Sequence, residues 1–553
     1  MLHDKLAELL FPHISKTPDD YERIFPPRNL PPAAKVTRLA PSPTGFIHLG
    51  NLYGAFVDER LARQSGGIFF LRIEDTDEKR KVDGAIGIII NSLRFFDVNF
   101  DEGASPESEI GQYGPYSQSK RAEIYQCFAK EIVRRGLAYP CFMTENEISA
   151  VREQQEKIKT DSGIYGHWAL CRNLTYDEVE SKIKNGASYV IRLRSGGNPG
   201  SAKTVSVNDA IRGQLTMPEN FQDIVILKTN GIPTYHFAHV IDDHLMRTTH
   251  VVRGAEWISS LPSHIELFNC LGFKIPVFCH TAQLMKLDKN GNKRKLSKRE
   301  DPELSLDYYR REGYHYSAVR EYMLTILNSN YEEWRAANPD ASFEDFQFTL
   351  EKMSVSGALF DLDKLNDISK ETLARIPAEK LCDFMRDWAA EFFPEALPYF
   401  ADKVYVAKIL DLGRTGERPR KDLICARQIL DFTAYFFDEH FKSLDFELYP
   451  SNIRDGDVAA ILAAYLETYR HDDNQEMWFE KIRAFSSVLG YAAKPKDYKK
   501  NPEIYKGHVG DVSAVIRIAL TGRAQSPDIW EIQQILGEER TRHRITDVLN
   551  RNR

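Results

Sequence analysis

Residues 36–73 limit what this chain can become more than any other stretch. "KVTRLA" (35–40) alternates in polarity and reads as a strand. "LGNLYGAFVDERLARQ" (49–64) then places Leu52, Ala55, Phe56, Leu61 and Ala62 at helical spacing. "SGG" (65–67) stops that helix, and "IFFLRI" (68–73) is a continuous apolar run of the kind that parallel sheets bury. Strand, Gly/Pro loop, helix, glycine stop and strand make one βαβ unit. "RIEDTD" (72–77) next sets acids at the carboxyl end of the second strand, where open α/β sheets bind ligands.

Around that unit the chain reads as an α/β front half and an α-helical back half. Residues 1–34 form an N-terminal appendage, with "FPPRNLPPAAK" as an extended linker. Residues 120–136 read as a helix ended by Gly136, and 145–185 as a polar, helix-prone insertion. "ASYVIRLR" (187–194) and "QDIVILKTNGIPTYHF" (222–237) alternate around a turn at "TNG", which predicts strands and a hairpin. Residues 264–273 are helical again, and from about 305 onward the pattern is almost all helical.

At 553 residues the chain exceeds one core. No stretch approaches the ~20 apolar residues that span a bilayer. "MLHDKLAELLFPHISKTPDD" lacks the basic start, apolar core and cleavage site of a secretory signal. Seven cysteines, an odd and scattered set, suit a reducing cytoplasm better than a disulfide framework. A net charge of −7, taken alone, argues against a protein coated in nucleic acid. "KPKDYKK" (494–500) and "ERTRHR" (539–544) are still local basic patches, either a docking face for a polyanion or solvated surface.

Four stretches carry chemistry. In "VTRLAPSPTGFIHLGN" (36–51), Pro41, Pro43 and Gly45 force a defined loop, and His48, Gly50 and Asn51 sit where the helix begins. A helix N-terminus attracts phosphate, and a missing side chain lets an anionic ligand approach the backbone. "KRKLSKRED" (293–301) crowds Lys295, Ser297, Lys298 and Arg299 into a loop that could swing onto a polyphosphate. "NGIPTYHFAHVIDDH" and "HVVRGAEW" bring Tyr235, His239, Asp243, Arg253 and Trp257 to the ends of apolar runs, where an Arg could hold a carboxylate. Glu74 and Asp77 of "RIEDTD" could hold an amine, a ribose hydroxyl or a metal. Taken singly, each is equally a turn, a solvated loop, a packed core or a structural ion pair.

Their order is more specific. "PSPTGxxHLG", "LRIEDTD", "GPYSQS" (114–119), "GIPTYHFAHVIDDH", "VVRGAEW" and "KLSKR" follow one another as in glutamyl-tRNA synthetases, and the chain resembles that class I family over residues 36–330. "VIRIALTGRAQSPDIWEIQQILG" (515–537) extends the likeness more faintly toward the C-terminus. "HLGN" stands at the "HIGH" signature and "KLSKR" at "KMSKS". The resemblance implies a class I Rossmann-like catalytic domain with an inserted acceptor-binding subdomain, followed by an α-helical anticodon-binding domain. Its implied boundaries are an N-terminal extension 1–34, catalytic halves 35–138 and 223–305, insertion 139–222, stem-contact domain 306–370 and anticodon domain 371–553.

The implied reaction joins L-glutamate to tRNA(Glu) through a glutamyl-adenylate and releases AMP and pyrophosphate. His48, Gly50, Asn51, Lys295, Ser297 and Lys298 would bind ATP, with His48 and Lys298 catalytic. Arg38, Ser42, Glu74, Tyr235, His239, Arg253 and Trp257 would bind glutamate. His239 stands where relatives often carry Asn. Mg²⁺ would ride with ATP. Some relatives bind zinc in the insertion, and here Cys141, Tyr165, His167 and Cys171 are left, with Met143 in place of a Cys, so no zinc is expected. The partners implied are tRNA(Glu), L-glutamate and ATP, without a membrane, for a monomer in the cytoplasm. Three rival readings are a non-discriminating enzyme that also charges tRNA(Gln), a glutaminyl enzyme, and a tRNA-modifying paralogue without an anticodon domain. A catalytically dead RNA-binding protein is a fourth.

Overall fold

The computed structural model describes residues 2–43, 47–77, 82–297, 299–414 and 419–551. Gly45 and Lys298, both singled out above, lie outside them. The chain divides into two compact units: Met1–Tyr308 with Arg320–Asp361, and Tyr309–Val319 with Leu362–Arg553.

The first unit begins with α1 (Leu2–Leu10) and α2 (Pro18–Ile24). These helices correct the expectation of a mere appendage, because Ala7, Leu10, Phe11, Ile14 and Tyr21 are all buried. Only the Pro-rich stretch that follows is extended. Next come β1 (Val36–Leu39), α3 (Leu49–Ser65), β2 (Ile68–Leu71), α4 (Ala85–Phe95) and β3 (Glu102–Gly103), then α5 (Ala122–Arg134). β1 and β2 pair in parallel, Val36 opposite Ile68 and Leu39 opposite Leu71, with β3 outside β2. The two glycines that end α3 act differently. Gly66 adopts φ 64°, the left-handed cap. Gly67 leaves room for the backbone of Lys35, whose oxygen would lie 1.9 Å from an added Cβ.

After α5 come β4 (Ala138–Cys141), α6 (Glu145–Lys157), α7 (Tyr176–Lys184), β5 (Val190–Leu193), β6 (Thr204–Asp209) and β7 (Gly213–Pro218), then β8 (Val225–Leu227), which lies beyond the expected insertion 139–222. β4, β5 and β8 form an antiparallel sheet, and β6 and β7 a separate hairpin. The predicted hairpin around "TNG" closes only through one bridge, Leu227 to Pro233. The "TYHF" that read as its second strand instead opens α8 (Tyr235–Leu245) behind Thr234. Four alternating residues cannot reveal their period. The buried stripe Phe237, Val240, Ile241 and Leu245 is helical.

After α8 come β9 (His250–Gly254), α9 (Leu261–Leu271), β10 (Val277–Thr281), β11 (Leu284–Leu287), β12 (Lys293–Lys295) and, later, β13 (Ala358–Leu359). β9 and β10 are parallel. Thr249 N–H donates to the Val36 carbonyl at 2.9 Å, which sets β9 beside β1. The chain therefore leaves β1 toward β2 and β3 on one side, while β9 and β10 lie on the other. The crevice at such a reversal is where doubly wound sheets bind ligands.

The second unit is helical. One core gathers Leu381, Met385, Trp388 and Ile429; another gathers Ile461, Tyr465, Ile482, Val515, Ile532 and Ile545. The "ERTRHR" patch is divided: Arg540 and His543 are exposed, while Arg542 and Arg544 are tied into this unit. Arg544 is buried, donating to the carbonyls of Tyr435 and Leu520 and to Asp438, while Arg542 donates to Tyr469 O. The lysines of "KPKDYKK" remain exposed.

Candidate active site

A cavity of about 500 Å³ opens at the carboxyl ends of β1 and β9. Arg38, Ser42, Glu74, Tyr235, Arg253 and Trp257 line one part of its wall, and His48, Gly50, Asn51 and Lys295 another. Ten of the positions expected from the sequence thus share one wall. Two others do not reach it: Ser297 lies in the loop after β12, and His239 is fully buried under Tyr235, with the rings stacked 5.6 Å apart.

A charge network fixes the first part. Asp243 on α8, completely buried, accepts from Arg38 Nε at 3.0 Å and from Arg72 Nη1 at 2.7 Å. Arg38 also donates to the Val252 carbonyl on β9 at 3.1 Å. Arg72 reaches on to Glu74 at 3.1 Å. Burial would raise the Asp243 carboxyl, but Arg38 and Arg72 outweigh it and hold it well below the usual carboxylate range. For Glu74 burial wins and pushes the carboxyl up, against Arg72 and Arg38. An ammonium group beside it would reverse that shift. Burial pushes the His239 imidazole down to about 3, so the ring is neutral. His239 Nδ1 lies 2.6 Å from Asp243 Oδ2, out of line for a hydrogen bond. The expected substrate contact of His239 is therefore not what its position offers; it backs Tyr235 and Asp243 instead.

Tyr235 packs on Trp257 with centroids 4.4 Å apart, forming an aromatic wall. Arg253 projects from β9 between two imidazoles: its Nε donates to His280 Nε2 at 2.9 Å, and its Nη1 lies 3.1 Å from His264 Nδ1. The pocket thus carries two buried guanidiniums and a carboxylate around a small volume. That arrangement suits a zwitterion with an additional acidic group.

The other part of the wall is built on the start of α3. His48 caps the helix, with its ring accepting from Asn51 N–H at 3.3 Å, and Asn51 Oδ1 accepts from His48 N–H at 3.1 Å. This reciprocal box leaves the α3 N-terminus facing the cavity, an anion-binding element. Gly50 makes it possible, because an added Cβ would lie 3.0 Å from His48 Nδ1.

Arg294 and Ser297, on the near side of the "KLSKR" stretch, are tied to a residue that the motif does not mark. Asp301 accepts a bidentate pair from Arg294 at 2.6 and 2.7 Å, and Ser297 N–H at 2.8 Å. Arg294, with the Ser297 amide and Lys286 adding to it, holds the Asp301 carboxyl down at about 2. Only the acid within "KRED" hinted at this role. Asp243 and Arg72, equally central, were legible as charged residues but not as partners.

In the insertion, Cys141 and Cys171 share an apolar cluster with Tyr139, and Phe142 N–H points at Cys171 Sγ at 3.3 Å. Tyr165 donates its hydroxyl to the Asp161 carbonyl at 2.6 Å, and His167 is exposed against Trp168. Among the described residues, no three His, Cys, Asp or Glu side chains are grouped to hold a metal ion, and no helix is long and apolar enough to cross a membrane.

Comparisons with known proteins agree with this geometry. Residues 35–367 match the model of the class I tRNA synthetase (E and Q) catalytic domain, and residues 391–549 match an anticodon binding domain. A glutamate–tRNA ligase of Acetivibrio thermocellus is 62% identical over 99% of this chain and 100% of its own length. One from Clostridium perfringens strain 13 is 48% identical over 99% and 100%. A solved glutamate tRNA ligase from Elizabethkingia meningosepticum, in complex with its amino acid, superposes with a TM-score of 0.74 at 26% identity, covering 94% of this chain and 100% of that one. With the switch-point cavity, its capped helix and its paired arginines, these matches show that the chain belongs to the glutamate–tRNA ligases, class I aminoacyl-tRNA synthetases with a catalytic domain followed by an anticodon-binding domain.

Proposed function

We propose that the chain activates L-glutamate with ATP and transfers it to tRNA(Glu), releasing AMP and pyrophosphate. The observation that carries the reading is one cavity in which a doubly basic, aromatic-walled pocket adjoins the capped N-terminus of α3. Arg38 and Arg253 take the acidic groups of glutamate, Glu74 its ammonium, and Tyr235 and Trp257 its aliphatic stem. Ser42 adds a hydroxyl. His48, Gly50 and Asn51 take the ATP phosphates, with Lys295 and Lys298 neutralising the pyrophosphate as it leaves. Ser297 steadies that loop. The glutamate α-carboxylate attacks the α-phosphorus in line, and the tRNA terminal ribose hydroxyl then attacks the mixed anhydride. Positioning and fixed charge supply most of the rate. Mg²⁺ travels with ATP as part of the substrate, held by phosphates and water, and when bound neutralises phosphate charge.

The insertion (139–222) serves the acceptor stem, and the helical region (371–553), which includes the anticodon-domain match, reads the anticodon. We place the enzyme in the cytoplasm as a monomer, and its free thiols suit a reducing compartment. Pyrophosphate exchange with glutamate, ATP and tRNA(Glu), followed by aminoacylation of purified tRNA(Glu) and tRNA(Gln), tests the reading. Absence of exchange in the presence of tRNA(Glu) overturns it.

A further inference from the structure

The β6–β7 hairpin is a surface ribbon whose residues are half-exposed or exposed, except Asp209 and, in the turn, Ile211. Asp209, the last residue of β6, is buried at the foot of β10. Its Oδ1 accepts the backbone N–H groups of Ile211 at 3.0 Å and Arg212 at 2.9 Å. Its Oδ2 lies 2.7 Å from His280 Nδ1. Arg212 Nε donates to the His280 carbonyl at 3.0 Å, and Ala210 N–H to the Phe278 carbonyl at 2.8 Å, so the hairpin is stapled to β10 on both sides of the carboxylate.

The far nitrogen of His280 meets Arg253 Nε at 2.9 Å. A guanidinium has only donors, so His280 Nε2 must offer a lone pair and Nδ1 must carry the proton. The Asp209 carboxylate, an acceptor only, dictates that tautomer. By the same logic His264 Nδ1 accepts from Arg253, and its Nε2–H points to His236 Nδ1 at 2.9 Å. Phe278 supports the guanidinium face at 5.0 Å. The rest of the Arg253 guanidinium is turned toward Tyr235, with which it shares a side-chain interaction, and both residues line the cavity. A guanidinium held this firmly in the wall is a place for a substrate oxygen.

We infer that Asp209 and His280 are positioning residues for Arg253, which makes the insertion hairpin a working part of the amino-acid pocket. The inference rests on the glutamate reading of that pocket. Two amide replacements at one site separate positioning from packing. An Asn side chain places its polar atoms near Nδ1 of the histidine it replaces, and a Gln near Nε2. His280→Asn keeps the contact with Asp209 and loses the one with Arg253, whereas His280→Gln keeps an acceptor for Arg253. Asp209→Asn acts from the other end. Its oxygen stays with the Ile211 and Arg212 amides, so its NH₂ group faces His280, where it gives up the backbone N–H that Oδ2 accepts at 3.1 Å and imposes the wrong ring tautomer, donor against donor at Arg253.

The assay is pyrophosphate exchange on the full chain with tRNA(Glu), varying glutamate and ATP separately. His280→Asn and Asp209→Asn should raise the glutamate KM about ten- to hundredfold, the effect of losing a hydrogen bond to a charged group. The ATP KM should stay within about twofold, and His280→Gln should keep the glutamate KM within about threefold of wild type. Equal shifts for His280→Asn and His280→Gln, or equal shifts in glutamate and ATP KM, overturn the inference. Should His280→Asn fail to fold by circular dichroism, Asp209→Asn decides the question with His280 in place. Wild-type exchange with unshifted variants overturns the positioning role alone. No wild-type exchange with glutamate removes the functional reading, and the inference with it.

Discussion

Replacing Asp243 by Asn should disable the first unit more than any single change at the cavity wall. The substitution keeps size and shape but removes the negative charge that two buried guanidiniums share. At an effective dielectric near 20, each cation about 4 Å from the carboxylate centre contributes roughly 4 kcal/mol of attraction, largely offset by the desolvation of all three groups. Removing one partner leaves that desolvation uncompensated, at a cost of about 3–5 kcal/mol. Glu74 compensates only in part, through Arg72. For a unit of this size the loss lowers the melting temperature by roughly 4–7 °C. The sign with pH follows from the depressed folded-state carboxyl. Asp243 stabilises fully above the ordinary carboxylate value near 4 and loses that advantage only as pH falls below it. Differential scanning calorimetry of wild type and Asp243→Asn should show a constant gap from pH 8 to about 5 that narrows in stronger acid. A melting shift under about 2 °C at pH 7, or a gap that widens on acidification, would refute the reasoning.

Arg38→Ala should raise glutamate KM and lower kcat with little change in ATP KM, since a carboxylate loses its bidentate partner; wild-type values for both glutamate constants would exclude that contact. Lys298→Ala should slow adenylate formation in single-turnover assays by roughly 10²–10³, the scale for one preorganised transition-state contact, and an unchanged rate removes its role. Gly50→Ala pushes a methyl against the His48 ring. The disturbed cap should cost about 1 kcal/mol and raise ATP KM about fivefold in the exchange assay, leaving glutamate KM in place.

The strand–helix–strand at 36–71 was legible because its three periods differ and glycines punctuate them. Ten of the site residues were legible as types in motifs, and they share a wall because both halves of the sheet end there. What could not be read is pairing over distance. Arg38, Arg72 and Asp243 meet across 205 and 171 positions, so no local pattern records the contact. His239 failed for a different reason. It sits one helical turn from Asp243, and helical spacing says which residues share a face but not whether that face looks into the cavity or beneath its lining. Residues 1–34 read as an appendage because their prolines are conspicuous, whereas the apolar positions ahead of them, Ala7, Leu10 and Phe11, form a short stripe.

Those first helices bear on how such enzymes can be recombined. The catalytic-domain match begins at residue 35. Yet Glu22 of α2 contacts His244 at 2.6 Å and Arg247 at 2.7 Å, at the far end of the helix whose first residue is Tyr235. Arg28 clamps the Met246 carbonyl at 3.0 Å and Glu102 at 2.7 Å. A chimera spliced at residue 35 would import the pocket and leave behind the bracket that sets its aromatic wall. The practical seam for exchanging modules between relatives lies ahead of α1.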